Sequence, residues 1–406
     1  MRHPRTPYER ESIMAGSYIV AGARTPIGKM SGALASFSAA DLGSIAIKAA
    51  LERAGVSPNE VDHVIMGQVL MAGQGQVPSR QAAVKAGIPM NVPAINVNKV
   101  CLSGLNSIYL ADQMIQAGDA DIVIAGGMES MTNAPYIASG ARGGFRYGNT
   151  ELKDAIIADG LWCSFDSCLM GLGTERYTAG NISRQQQDDL AMKSNQRAAA
   201  AIAAGRLADE IVSISIPQRK GDPLVIANDE GVRAETTMES LGGLKPAFDK
   251  DGTITAANAS QLSDGGSAVV MMSERFVKDR GIKALGQVVS YGMVAGPDNA
   301  SLLTQPSRAI LKALNKVGMK VSDINLFELN EAFATVGIAS MADLGISDDI
   351  VNVNGGAIAL GHPIGMSGNR VALTILHELR RRGGGVGAAA LCGGGGQGDA
   401  IIVRTV

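Results

Sequence analysis

Three glycine-flanked strings hold the side chains that could do chemistry in this 406-residue chain. N-V-N-K-V-C-L-S-G-L carries Cys101, N-G-G-A-I-A-L-G-H-P-I-G-M-S-G carries His362, and A-A-L-C-G-G-G-G-Q-G carries Cys392. The first string reads as a strand-to-helix turn with Cys101 just before the helix N-terminus. The positive end of the helix dipole and the free N–H groups there favour a thiolate over a thiol. Such a sulfur can attack a thioester carbonyl and hold the acyl group covalently, and a histidine beside it can take its proton. The glycines after Cys392 let backbone N–H groups approach a ligand closely, as an oxyanion hole requires. A phosphate-cradling loop competes for that run, but G-x-x-x-x-G-K-[ST] is absent. An activated nucleophile plus a second acid–base group suits a reaction that also removes a proton next to a carbonyl. Asn330, in N-E-A-F after the apolar run I-N-L-F-E-L, stands at a strand's carboxyl end. Its amide can donate to an oxyanion, directly or through a water, although an asparagine there is more often a plain turn residue. His3, His63 and His377 lack glycine-rich surroundings and read as surface or satisfied core residues.

What could bring the strings together is a duplication. A-L-E-R-A-G-V-S-P-N-E-V-D-H-V from Ala50 matches A-L-N-K-V-G-M-K-V-S-D-I-N-L-F from Ala313, with Gly55 and Gly318 ending a helix in register. A-I-N-V-N before Lys99 matches I-V-N-V-N before Gly355, and the pair Ser103–Gly104 matches Ser367–Gly368. The strands D-I-V-I-A-G-G and G-A-A-A-L-C-G-G then end alike in glycines. Equivalent loops of two equivalent halves meet near a pseudo-two-fold axis, so Cys101 and His362 are expected to be neighbours. Each half alternates strand and helix. Asp41 is the expected N-cap of a helix with Leu42, Ile45, Ala46 and Ala49 on one face, stopped by Gly55. The helix after Ser103 is apolar almost all round and is expected to be buried. Alternation of this kind implies mainly parallel sheets covered by helices. The N-terminal core half is expected over 17–131, completed by about 263–283, and the C-terminal half over 284–406. Between them, 132–262 changes texture. It holds R-G-G-F-R-Y-G, a helix opened by Ser183 and Gln186 in capping-box spacing, and the turn P-Q-R-K-G-D-P, which together suggest a lid-like insertion. Residues 1–16 read as a polar tail without the apolar stretch of a secretory signal.

Composition narrows the function classes. A net charge of −2 without a basic stripe argues against nucleic acid as the main partner. No window approaches the roughly 20 apolar residues of a membrane span. The four cysteines, Cys101, Cys163, Cys168 and Cys392, show no C-x-x-C spacing, and reduced thiols in a cytoplasmic setting are expected. No metal-ligand spacing stands out.

The ordered set N-x-x-C-x-S-G-L, N-E-A-F, G-H-P-I-G and C-x-G-G-x-G resembles the thiolase superfamily from about Ser17 to Val406. That resemblance implies an α/β protein with the duplicated thiolase fold. Its five-layer α/β/α/β/α core carries an inserted loop domain that binds coenzyme A, and the chain forms a dimer or tetramer. It implies reversible condensation of two acetyl-CoA to acetoacetyl-CoA plus CoA through an acyl-cysteine, with no permanently bound cofactor. Carried over by position, Cys101 takes the acyl group, His362 activates it, and Cys392 is the acid/base at the α-carbon. One oxyanion hole combines His362 with a water held by Asn330, and the other combines the backbone N–H groups of Cys101 and Gly394. The same likeness puts Ser260 and Phe248 near the pantetheine, with Phe333 following Asn330. It puts Arg233 at the nucleotide end, and Met170 where it closes the pocket to long or branched chains. Leu169 stands where short-chain biosynthetic members carry a histidine, and Leu302 where they carry a methionine, so broader 3-ketoacyl-CoA thiolysis is the alternative. A cysteine–histidine thioesterase or peptidase would not need Cys392. A ketosynthase relative is expected to place a histidine there, and a non-catalytic CoA- or lipid-binding module needs neither thiol.

Overall fold

The structure, a computed structural model, describes residues 16–406; apart from Gly16, the tail expected at 1–16 lies outside the described residues. The first half runs β1 (Ser17–Arg24), α1 (Ala39–Ala54), β2 (His63–Gly67), α2 (Pro78–Lys85), β3 (Ala94–Val97), α3 (Ser103–Ala117) and β4 (Ile122–Ser130). An excursion carrying α4 (Met170–Thr178) and α5 (Arg184–Ala203) follows, and β5 (Ser263–Ser273) returns to the sheet. The second half runs β6 (Gly286–Ala295), α6 (Gln305–Lys316), β7 (Leu326–Leu329), α7 (Ala334–Leu344), α8 (Ser367–Arg381), β8 (Val386–Gly393) and β9 (Gln397–Thr405).

The strands lie in the order β7-β8-β9-β6-β1-β5-β4-β2-β3. The duplication is visible in this path: β2, β4, β5 and β1 of the first half correspond to β7, β8, β9 and β6 of the second. The two half-sheets join where β1 and β6 pair antiparallel, Tyr18 with Gln287 and Ile19 with Gly286. The partner of β3 is reduced to a single parallel bridge, Phe327 with Val351, inside the I-V-N-V-N string. The expectation of mainly parallel sheets does not hold. Among the described strands of this sheet, only β2–β3, β2–β4 and β7–β8 pair parallel. β4–β5, β1–β5, β6–β9 and β8–β9 are antiparallel. Parallel neighbours need a crossover, and β8 reaches β9 through the tight turn Gly394–Gly396 instead.

Helices α3 and α8 pack against each other between the two half-sheets, α1 and α2 cover the outside of one, and α6 with α7 covers the other, giving five α/β/α/β/α layers. The central layer is almost dry: Leu105, Ile108, Ala111, Val371, Leu373, Ile375 and Leu376 meet Ile65, Val123, Leu391 and Ile401 from the sheets. Helix α1 is capped by Ser38, not Asp41. The Ser38 hydroxyl accepts from the Asp41 N–H at 3.2 Å while the Asp41 carboxylate accepts from the Ser38 N–H at 3.0 Å, so Asp41 closes a capping box three residues in. Gly55 ends the helix in the left-handed conformation, φ 64°.

The excursion is tied down by a fully buried ion triad. Arg24, at the end of β1, pairs with Glu210 at 2.6 Å and Asp229 at 2.6 Å. Its helix α5 opens on the Ser183–Gln186 capping box and packs on Ala357–Leu360 and on α7. Among the described residues no helix is long and apolar enough to cross a membrane.

Candidate active site

Cys101 lies in the turn between β3 and α3, and the polar residues around it explain the string. The Ser103 hydroxyl accepts from the Lys99 N–H at 2.8 Å and donates to the Val100 carbonyl at 2.6 Å, while Asn98 Oδ1 accepts from the Val100 N–H at 3.1 Å. This wrapping holds Val100 at φ 51°, a strained conformation for a β-branched residue, directly before the sulfur. The backbone N–H groups of Cys101 and Gly394 act on that sulfur in favour of its charged form. The expected thiolate is not the resting form. Burial pushes the Cys101 thiol up to about 12, outweighing those two donors, and the nearby Glu129 charge adds to the rise.

His362 follows Gly361, whose φ of 109° and tight contact with Ile27 and Ser263 leave no room for a side chain. The loop is pinned by the His362 N–H, which donates to the Ser263 hydroxyl at 3.1 Å. The ring is oriented from both sides. Ser367 Oγ donates to the Pro363 carbonyl at 3.0 Å and therefore accepts from His362 Nδ1–H at 2.6 Å. That assigns the lone pair to Nε2, which faces Asn330 Nδ2 at 3.4 Å. Burial, and secondarily the Arg370 charge, pulls His362 down to about 3, so the ring is a neutral base. Asn330 leaves β7 in line, its N–H on the Ala390 carbonyl at 2.9 Å, and its Oδ1 is buried without a partner.

Cys392 ends β8, fully buried. Burial raises its thiol well above the ordinary value, and the proximity of Cys101 adds to this. Cys392 shares an apolar cluster with Cys163, Met170, Leu302, Ala332 and Phe333, and Phe248 packs on it. Phe248 and Phe333 meet edge-to-face, 6.1 Å between centroids. Ser260 joins the same wall, its N–H on the Ala332 carbonyl at 3.0 Å. Leu169 caps the start of α4, directly before Met170. Arg233 stands apart from this cluster, exposed, on a loop held by Asn195 Oδ1 at 2.9 Å from its N–H. His63 and His377 are half-buried away from the site, and each keeps one ring nitrogen without a partner.

Three groups escaped the sequence reading. Glu129 on β4 is buried and accepts three backbone N–H bonds in the site. Lys99 bridges to Asp399 of β9 at 2.7 Å, and Tyr291 donates to the same carboxylate at 2.8 Å. Ser367, seen only as half of a repeated S-G pair, turns out to orient His362. Its counterpart Ser103 wraps the Cys101 turn, so the duplication itself held that signal.

A duplicated five-layer core with two thiols and a neutral imidazole at equivalent loop ends defines a class, the acyl-transferring thiolase-type enzymes. The chain belongs to the thiolase family: residues 17–275 match the profile described as "Thiolase, N-terminal domain" and 282–405 match "Thiolase, C-terminal domain". It is 54% identical to a probable acetyl-CoA acetyltransferase of Mycolicibacterium smegmatis, over 95% of this chain and 100% of that one. It is 50% identical to an acetyl-CoA acetyltransferase of Cupriavidus necator, over 96% of this chain and 100% of that one. The crystal structure of the Bacillus anthracis acetyl-CoA acetyltransferase superposes with a TM-score of 0.93 at 38% identity, covering 97% of this chain and 99% of that one.

Proposed function

We propose that this protein is an acyltransferase that condenses two acetyl-CoA to acetoacetyl-CoA plus CoA, and runs the reverse thiolysis, through an acyl-Cys101 intermediate. The observation that carries the reading is the pairing of two buried thiols, Cys101 and Cys392, with one neutral imidazole. A hydrolase built on Cys101 and His362 has no use for Cys392. His362 Nε2 takes the Cys101 proton as the sulfur attacks the thioester carbonyl. The carbonyl oxygen is met by His362 and an Asn330-held water, CoA thiolate leaves, and Cys392 protonates it. The Cys392 thiolate left behind is unsolvated and therefore a strong base, which suits removal of a weakly acidic α-proton. The resulting carbanion attacks acyl-Cys101, whose oxyanion faces the N–H groups of Cys101 and Gly394. Product leaves as His362 returns the proton to the Cys101 sulfur.

In this reading 132–262 is a loop domain that receives coenzyme A, which is a substrate and not a resident cofactor. Phe248, Phe333 and Ser260 lie along the pantetheine, and Arg233 reaches the nucleotide. Met170 and Leu302 close the acyl end in this reading, and both line a small cavity with Cys163, Ala300 and Gly395. A homo-oligomer, dimer or tetramer, in the cytoplasm completes the proposal, supported by the exposed apolar residues Ile95 on β3 and Tyr147 in the excursion.

The deciding experiment is labelled acetyl-CoA with Cys101→Ser and Cys392→Ala. Cys101→Ser is expected to abolish label on the protein. Cys392→Ala is expected to keep the label and lose condensation by at least about 10³-fold. Equal loss of both steps in Cys392→Ala would end the division of labour, and net hydrolysis by the wild type would favour a thioesterase.

A further inference from the structure

We infer that Glu129 is a positioning residue for acyl transfer, clamping the loop that carries His362 onto the first half of the molecule beside Cys101. The inference rests on the proposed role of Cys101 as nucleophile. Glu129 projects from β4 and is fully buried. One carboxylate oxygen accepts from the Val69 N–H at 3.0 Å and from the Gly365 N–H at 3.0 Å, and the other from the Leu70 N–H at 3.2 Å. Val69 and Leu70 belong to the first half and share an apolar cluster with Cys101 and with Ile364. Gly365 lies three residues beyond His362 in the second half. A single side chain therefore joins the exit of β2, the His362 loop and the wall of the Cys101 site.

The carbonyl side of the same residue is held as closely. The Gly365 carbonyl lies against three glycines of the first half: a Cβ at Gly67, Gly104 or Gly127 would stand 2.7, 2.8 or 2.1 Å from that oxygen. Carbonyl on glycines and N–H on Glu129 fix Gly365 through both of its peptide groups, and His362, three residues earlier, inherits that position. Burial raises Glu129 to about 7 against the three N–H bonds that favour its charged form, with Asp264 adding to the rise; above that pH the carboxylate places a negative charge that bears on Cys101. That charge opposes the thiolate. The residue thus serves position at the expense of thiol ionisation, and the two effects have opposite signs in a variant.

Glu129→Gln keeps the shape, but its amide nitrogen must face an N–H donor, so the three-bond set cannot be rebuilt. The measurements are single-turnover acylation by labelled acetyl-CoA and peptide-resolved alkylation of Cys101 by iodoacetamide across pH 8–11, where Glu129 is charged and the rate climbs with the thiolate fraction, on the full chain. Acylation is expected to slow about tenfold or more with KM within about threefold, while the alkylation curve moves to lower pH. A better-ionised nucleophile that acylates more slowly is not what general loosening produces. Acylation within about twofold of wild type, or an unmoved alkylation curve, overturns the inference. Should Glu129→Gln not fold, Glu129→Asp keeps the charge and shortens the reach: slower acylation with an unshifted curve supports the clamp, and wild-type acylation overturns it. Absence of acyl-Cys101 in the wild type itself would instead refute the nucleophile assignment.

Discussion

A neutral thiol at Cys101 and a neutral imidazole at His362 are the resting forms at the residue scale, and burial sets both. Cys101 is pushed up to about 12 and His362 down to about 3, so in the proposed reaction the ion pair would form only as a thioester carbonyl accepts the sulfur. This has a consequence for stability. His362 has an ordinary pKa near 6.5 when unfolded and binds its proton only near 3 when folded. Between those values the unfolded chain holds more protons, so stability contributed by the neutral ring is complete above pH 6.5 and is lost as pH falls toward 3. The expected outcome is a Tm for wild type that drops relative to His362→Asn as pH goes from 7 to 5. A Tm difference that stays constant over that range would show that the ring titrates normally in the folded protein. The residues proposed as reactive stood out as candidates because glycine strings and repeated S-G pairs flag tight loops. Glu129, Lys99 and Asp399 were not, because a carboxylate inside G-G-M-E-S and a lysine before V-C look like ordinary polar residues until the fold buries them.

The elements that carry the two sulfurs are a turn and a hairpin from different halves, joined by a link with no sequence signature. Lys99 lies two residues before Cys101; Asp399 lies on β9, whose neighbour Gly398 pairs with Cys392. The Lys99 ammonium meets the buried Asp399 carboxylate at 2.7 Å, and the Tyr291 hydroxyl holds the other oxygen. Removing the lysine leaves a buried carboxylate short of a partner, a change that costs about 3–5 kcal/mol when nothing compensates. If the pair sets the sulfur-to-sulfur spacing, Lys99→Met and Asp399→Asn each slow condensation, and the double variant is no worse than the poorer single one. Additive losses in that cycle would mean the two residues act separately. Helix α1 shows the limit of reading elements from residues: its span and its Gly55 stop were legible, but the cap went to Ser38 because a capping box contains two suitable side chains and only packing selects the register. Sheet direction differs from expectation for another reason, since β5 enters the sheet only after the long excursion between Ser130 and Ser263 and no local pattern states which way it returns.

At the scale of the whole molecule, two repeats of one βα pattern make a site that neither could make alone. The first supplies Cys101 and its turn, the second supplies His362, Asn330 and Cys392, and the proposed catalytic geometry is the fit between them. That fit is made by missing side chains as much as by contacts. The Gly127 position on β4 has ordinary strand geometry, yet a Cβ there would lie 2.1 Å from the Gly365 carbonyl and 2.8 Å from Met366 Cα, both backbone atoms that cannot swing aside. The duplication made the meeting of the halves legible, but not its closeness, because a glycine in a strand says nothing about which chain passes over it. Gly127→Ala is therefore expected to destabilise the protein by about 3 kcal/mol through overpacking between halves. It should also slow acylation by Cys101, because the His362 loop has to lift. Gly242→Ala is the matched control: it lies in a helix with nothing within 4 Å of the added carbon, and should leave Tm unchanged or raise it. If Gly127→Ala instead melts and acylates like the wild type, the two halves are not held at the spacing described, and His362 owes its position to something other than their closure.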